Sequence, residues 1–239
     1  MSPRIALLAA FIIGIMCYGG AARSASAPAD MLPLAAIKSS GVAWKEGENY
    51  EVLAPPSAPT PASGKVEILE FFQYGCPHCY TMEPHMVLWK RMYGNLATVT
   101  RVPVTFRPLL RSLARLYYTL EAVGRIDAPG RQDAHHEVFD RLLRDGTRLM
   151  SENEEENFKL QLDFATSMGI DSGEFTKAYR SAAVEQKVKH AEELGMTYRI
   201  ASTPMFVIGG KYKTDIREAG DEYRLTHLLT DLSLQSMSR

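Results

Sequence analysis

The sequence predicts an α/β fold in which a block of helices interrupts a single sheet. Three observations carry that reading. A short, mostly apolar run from Val66 to Tyr74 leads straight into Cys76-Pro77-His78-Cys79, the pattern of a strand feeding a helix. From Leu109 to about Leu194 the apolar residues fall at helical spacing. Strand signals return only at Met205 to Ile208.

Taken from the N-terminus, Arg4 precedes an apolar run from Ile5 to Tyr18, and small residues follow through Ala25-Ser26-Ala27. This is the pattern of a secretory signal peptide over residues 1–27, preferred to an uncleaved anchor although the run is not much shorter than a bilayer span. Cys17 does not mark a lipoprotein, because Gly14-Ile15-Met16 lacks the small residue expected beside a lipidated cysteine. Removing residues 1–27 leaves a chain whose only cysteines are Cys76 and Cys79, an even count that suits an oxidising compartment. Arg4 and Arg23 leave with the segment and no acid does, so the formal charge becomes −3. Neither nucleic acid nor an anionic membrane surface is implied as a partner. The remaining length suits one domain, or one domain carrying an insertion.

Asn49 to Leu53 reads as an edge strand, and Pro55 to Gly64, rich in proline and small residues, as a surface loop. After the Val66–Tyr74 strand, a helix is predicted from Pro77 to about Tyr93, kinked at Pro84. Ala97 to Phe106 alternates as a second strand, with Pro103 arguing for an edge or a bulge. In the helical block, Ser151 with Glu154 and Asp171 with Glu174 read as capping boxes. Glu152 and Glu154 to Glu156 read as acids of a first helical turn and not as a ligand cluster. Gly209-Gly210 turns the last strand into Lys211-Tyr212-Lys213, and an amphipathic helix closes the chain from about Glu222 to Leu234.

The Cys76-x-x-Cys79 pair carries the chemistry. At a helix N-terminus, unpaired backbone N–H groups and the positive end of the dipole favour a thiolate, so Cys76 reads as the exposed nucleophile. Cys79 lies one turn further in, close enough to bond to Cys76 and to resolve a mixed disulfide. A structural zinc site is the bland alternative, but four ligands at set spacing are missing, and adjacent His135 and His136 read as solvent-facing. A purely structural disulfide is disfavoured because so short a loop removes little unfolded-chain entropy. His78, in the first turn, reads as a donor or partial positive charge that favours the Cys76 thiolate. Glu70, inside an otherwise apolar stretch from Ile68 to Phe72, reads as a buried acid whose pKa desolvation raises, placed to exchange protons with Cys79.

Leu69-Glu70-Phe71-Phe72, Cys76-Pro77-His78-Cys79-Tyr80 and Thr203-Pro204-Met205-Phe206-Val207 together resemble the DsbA family of periplasmic thiol:disulfide oxidases, and Pro84 resembles the kink-forming proline of thioredoxins. The resemblance spans nearly all of the chain after residue 27. It implies a thioredoxin-like fold over 28–107 and 191–239, with an inserted helical domain over 108–190. It further implies that Pro204 is cis and lies beside the cysteines, with Thr203 and Pro204 receiving substrate as an added strand. Thr203 stands where a valine often precedes this proline in the family, and its hydroxyl is expected to donate to the thiolate. Arg101 is the implied partner of Glu70, and Glu83 matches an acid of the family, with a solvated helix position as its alternative. No cofactor or metal is called for. The implied partners are reduced, unfolded exported proteins and a DsbB-type quinone-linked membrane oxidase that reoxidises the pair, with the protein a monomer. The alternatives are an isomerase or reductase on the same fold, or a thioredoxin-like binding module without catalysis.

Overall fold

The computed structural model describes residues 31–54, 64–128 and 133–237. The segment read as a signal peptide and most of the Pro55–Gly64 loop lie outside the described residues. Among those described, five strands form one mixed sheet: β1 (Glu51–Val52), β2 (Val66–Phe72), β3 (Ala97–Pro103), β4 (Met205–Ile208) and β5 (Tyr212–Thr214). Their spatial order is β1-β5-β4-β2-β3. β2 runs parallel to β3 and antiparallel to β4, so it is covered on both edges as well as both faces. That is why it reads as a nearly continuous apolar run: Phe71 and Phe72 are both buried, each contributing about 1.5–3 kcal/mol. β3 is an edge strand, where Pro103 has no outer neighbour to leave unpaired.

Helix α1 (Pro77–Tyr93) has Cys76 as its extended N-cap residue, Pro77 at its first position and Pro84 inside it. Here the predicted limits and the observed ones coincide. The inserted block comprises α2 (Pro108–Ala122), α3 (Ala134–Phe139), a π-helical turn (Asp140–Arg144), α4 (Glu154–Ser167), α5 (Ser172–Tyr179) and α6 (Ala182–Thr197). α6 runs without a break through residue 190. Asp171 caps α5 by accepting from the Glu174 N–H, as predicted. α4 is capped differently: Asn153, not Ser151, accepts from the Glu156 N–H, because Asn153-x-x-Glu156 offers the same pairing directly against the first helical residue. Ser151 instead donates its hydroxyl to the Glu156 carboxylate. After the Gly209-Gly210 turn, both of whose residues have positive φ, α7 (Ile216–Ala219) and α8 (Glu222–Met237) close the chain.

The core has two parts. Ile68, Met82, Met86, Trp89, Leu225, Leu228 and Leu229 pack the sheet against α1 and α8. Phe71, Phe72, Tyr74 and Cys79 pack with Leu113, Leu116, Phe139 and Val188 of the inserted helices. Cys79 therefore lies on the seam between sheet and insertion, with Cys76 packed at its margin. No helix among the described residues is long and apolar enough to cross a membrane.

Candidate active site

β2 ends at Phe72 because Gln73-Tyr74-Gly75 turns, with the Cys76 N–H donating to the Gln73 carbonyl at 3.0 Å. The turn delivers Cys76 half-buried at the helix edge and Cys79 buried one turn inside. Pro77 and His78 between them are less enclosed, His78 being exposed. Both cysteines are free in this structure. Opposite them, the peptide bond between Thr203 and Pro204 is cis, as the resemblance implied, and the Cys76 Sγ lies 3.3 Å from the Thr203 carbonyl oxygen. His78, Thr203, Pro204 and Ile216 line a shallow, mainly apolar pocket beside this pair.

The surroundings split the two thiols. The hydrogen bond from the Cys79 thiol lowers the Cys76 pKa most; partial burial opposes it. The Thr203 hydroxyl and the backbone N–H groups of Cys79 and His78 add to the lowering, bringing it to about 5. These are donors aimed at one sulfur from a helix N-terminus and from the facing loop, so the thiolate is the stable form at neutral pH. Burial pushes the Cys79 thiol far up, and its donation to Cys76 pushes the same way. His78 enters this balance through its backbone N–H.

A buried charged cluster gathers around Glu83, one turn beyond Cys79 on α1. Register sets Glu70 of β2 opposite Arg101 of β3, both buried. Arg101 donates to Glu83 at 2.6 Å and to Asp127 at 2.8 Å. It approaches Glu70 only to 3.5 Å, and the Glu70 Oε2 and Arg101 Nε atoms that face each other have no hydrogen-bond partner. The two acids divide accordingly. Burial pushes Glu70 up to about 7, with Arg101 opposing too weakly to restore it. Burial also acts on Glu83, but His135 and the close Arg101 guanidinium hold it at about 2.

Glu83 is thus buried on the inward side of α1 and not a solvated helix residue, since its position one turn beyond Cys79 continues the inward face. His135 is a second correction: it is 1% exposed, with its Nδ1 2.9 Å from the Tyr74 hydroxyl and its Nε2 3.3 Å from Glu83. His136, its neighbour, points outward as expected, because consecutive residues of a helix do not share a face. The missed signal is the spacing of His135, Val138 and Phe139, which puts the histidine on an apolar face. Among the described residues no group of three or more His, Cys, Asp or Glu side chains is placed to hold a metal ion.

A thiolate-stabilising helix edge, a buried second thiol and the facing Thr203-Pro204 loop on this fold define a thiol–disulfide oxidoreductase. The model of the DSBA-like thioredoxin domain matches residues 89–222. The chain is 33% identical over 178 residues to the thiol:disulfide interchange protein DsbA of Bordetella pertussis, covering 74% of this chain and 79% of that one. It is 35% identical over 176 residues to the DsbA of Azotobacter vinelandii, covering 74% and 77%. Among solved structures, Pseudomonas aeruginosa DsbA superposes with a TM-score of 0.72 at 29% identity, over 82% of this chain and 95% of that one. NmDsbA1 of N. meningitidis superposes with a TM-score of 0.68 at 27% identity, over 81% and 94%. The chain belongs to the DsbA family, and it is a protein disulfide oxidoreductase.

Proposed function

We propose that the protein is a dithiol oxidase of the periplasm, donating the Cys76–Cys79 disulfide to reduced, unfolded proteins after their export. The observation that carries this is the opposition between the two thiols: Cys76 is held at about 5 while Cys79 is pushed far up. A substrate thiolate attacks the Cys76 sulfur and the bond to Cys79 breaks. Cys79 leaves with the electron pair and takes up a proton, for which Glu70, at about 7, is the buried donor in this scheme. A second substrate thiolate then attacks the substrate sulfur of the mixed disulfide and expels Cys76. That last step is favoured because a stabilised thiolate is a good leaving group. The substrate leaves oxidised and the protein reduced.

In this reading, Pro77 starts the helix without losing a hydrogen bond and His78 adds its N–H to the donors around Cys76. Thr203 and Pro204 form the edge on which the substrate backbone docks, beside the shallow pocket. Export through the segment 1–27, the monomeric state and reoxidation by a DsbB-type quinone-linked membrane protein belong to the same reading. An isomerase or reductase on the same fold, the alternative that Thr203 encourages by its departure from the family's valine, would use the same thiolate to attack substrate disulfides. What favours the oxidase is that a thiolate held this low, with the Thr203 hydroxyl among its donors, is a better leaving group than attacking group.

The test is turnover. The oxidised protein, mixed with a reduced unfolded peptide bearing two cysteines, is expected to yield oxidised peptide and reduced protein in equal amounts. Peptide binding without disulfide transfer would mark a binding module, and no transfer in this mixture together with ready reduction of the oxidised peptide by the reduced protein would mark a reductase.

A further inference from the structure

Two tyrosines bracket the dithiol, and both are tied to one short stretch of the inserted block. Tyr74, in the turn before Cys76, is buried and its hydroxyl lies 2.9 Å from the His135 Nδ1. Tyr80, directly after Cys79, donates to the Asp140 Oδ1 at 2.6 Å. Donor and acceptor at His135 follow from its other side. Glu83 is a carboxylate, so Nε2, 3.3 Å from it, carries the proton; Nδ1 is left to accept from Tyr74. The ring is fixed by Phe72, Tyr117 and Phe139, which pack edge-on around it. Asp140 is fixed as well: Arg144 holds its Oδ2 at 2.8 Å, leaving Oδ1 for Tyr80. Asp140 opens the π-helical turn, where one extra residue per turn displaces the side chains from their α-helical direction.

The geometry points to His135 and Asp140 as positioning residues for the disulfide exchange: by holding the Tyr74 and Tyr80 hydroxyls they clamp both ends of the segment that carries Cys76 and Cys79. Neither touches a reacting atom. Their effect passes through the sulfur contacts, because the donors to Cys76 come from two separate pieces of chain, the first turn of α1 and Thr203. Hydrogen bonds to a charged sulfur weaken steeply when one piece shifts against the other. The inserted block thereby acts on the redox centre and does not merely cover it.

This inference rests on Cys76 as the stabilised nucleophile, and its test reads the thiolate itself, so it holds whichever way the protein runs the exchange. In the Tyr74→Phe/Tyr80→Phe double variant the rings and their packing stay and only the two hydroxyls go. Ultraviolet titration of the Cys76 thiolate is expected to shift upward by about one unit, with the glutathione equilibrium moving about tenfold toward the disulfide form. Asp140→Asn keeps an acceptor for Tyr80 and is expected to stay within about twofold of the unaltered protein, while Asp140→Ala moves severalfold. A double variant whose Cys76 titration stays in place overturns the inference. So does an Asp140→Asn shift as large as that of Asp140→Ala, which would assign the effect to charge and not to position.

Discussion

The helix edge at Cys76 and the interior one turn away at Cys79 contain the same chemical group and treat it in opposite ways. At the edge, hydrogen bonds from the Cys79 thiol, the Thr203 hydroxyl and backbone amides outweigh partial burial and favour charge. In the interior, desolvation dominates and keeps the thiol protonated. The buried acids repeat the contrast: Glu83, in full contact with Arg101, stays ionised, while Glu70, facing the same guanidinium across 3.5 Å, holds its proton to about 7. Burial alone decides neither pair. The number of donors that reach the charged form decides both.

The sharpest way to break the contrast is to remove one sulfur at a time. Cys76→Ser is expected to abolish oxidation of a reduced peptide. Cys79→Ser is expected to accumulate mixed disulfides through Cys76, seen as adducts on non-reducing gels. Labelling of reduced protein with iodoacetamide at mildly acidic pH is expected to modify Cys76 first; labelling of Cys79 first would reverse the assignment.

Next in size are the acids. Glu83→Gln leaves Arg101 and His135 without their buried carboxylate and is expected to cost about 3–5 kcal/mol in urea unfolding. Because Glu83 is depressed to about 2, its contribution is present above roughly pH 4.5 and is lost as pH falls through about 2. Glu70 works the other way. Raised to about 7, it contributes below roughly pH 4.5 a stability that is lost as pH rises through about 7. Glu70→Gln is therefore expected to remove a decline of about 3 kcal/mol across that window, measured by urea unfolding at successive pH values. A decline that persists in the variant would place the titrating group elsewhere.

The smallest effect belongs to Thr203→Val, which removes one donor among several. The Cys76 titration is expected to rise by about half a unit, with a severalfold weaker oxidant in equilibrium with glutathione. An unchanged titration would mean that the hydroxyl does not reach the sulfur.

The strand, the redox helix to Tyr93 and the closing hairpin and helix were legible because each rests on local pattern: a doubly covered strand, a proline at a helix start, a paired glycine turn. The Thr203-Pro204 edge was legible only through resemblance, since nothing local to it announces a cis bond or a neighbour far away in sequence. His135 was misplaced because an adjacent histidine pair looks polar as a unit, although its two members face opposite ways on α3. Ser151 was misplaced because two overlapping capping patterns compete and local sequence does not rank them. The Tyr74 and Tyr80 contacts depend on how the insertion packs against the sheet, a tertiary outcome that no spacing encodes.

The central claim, that the fold favours the reduced pair through the Cys76 thiolate, is tested most directly by urea unfolding of the two redox forms at neutral pH. The thiolate contacts exist only in the folded, reduced protein, so that form is expected to unfold at higher urea. Discounted for solvent around the half-exposed sulfur, the thiolate contribution is about 1–2 kcal/mol. Because Cys76 is depressed, this contribution is present at and above the unfolded thiol's own pKa and is lost as pH falls through about 5. A reduced form that unfolds at the same or a lower urea concentration than the disulfide form would contradict the oxidase and leave the reductase.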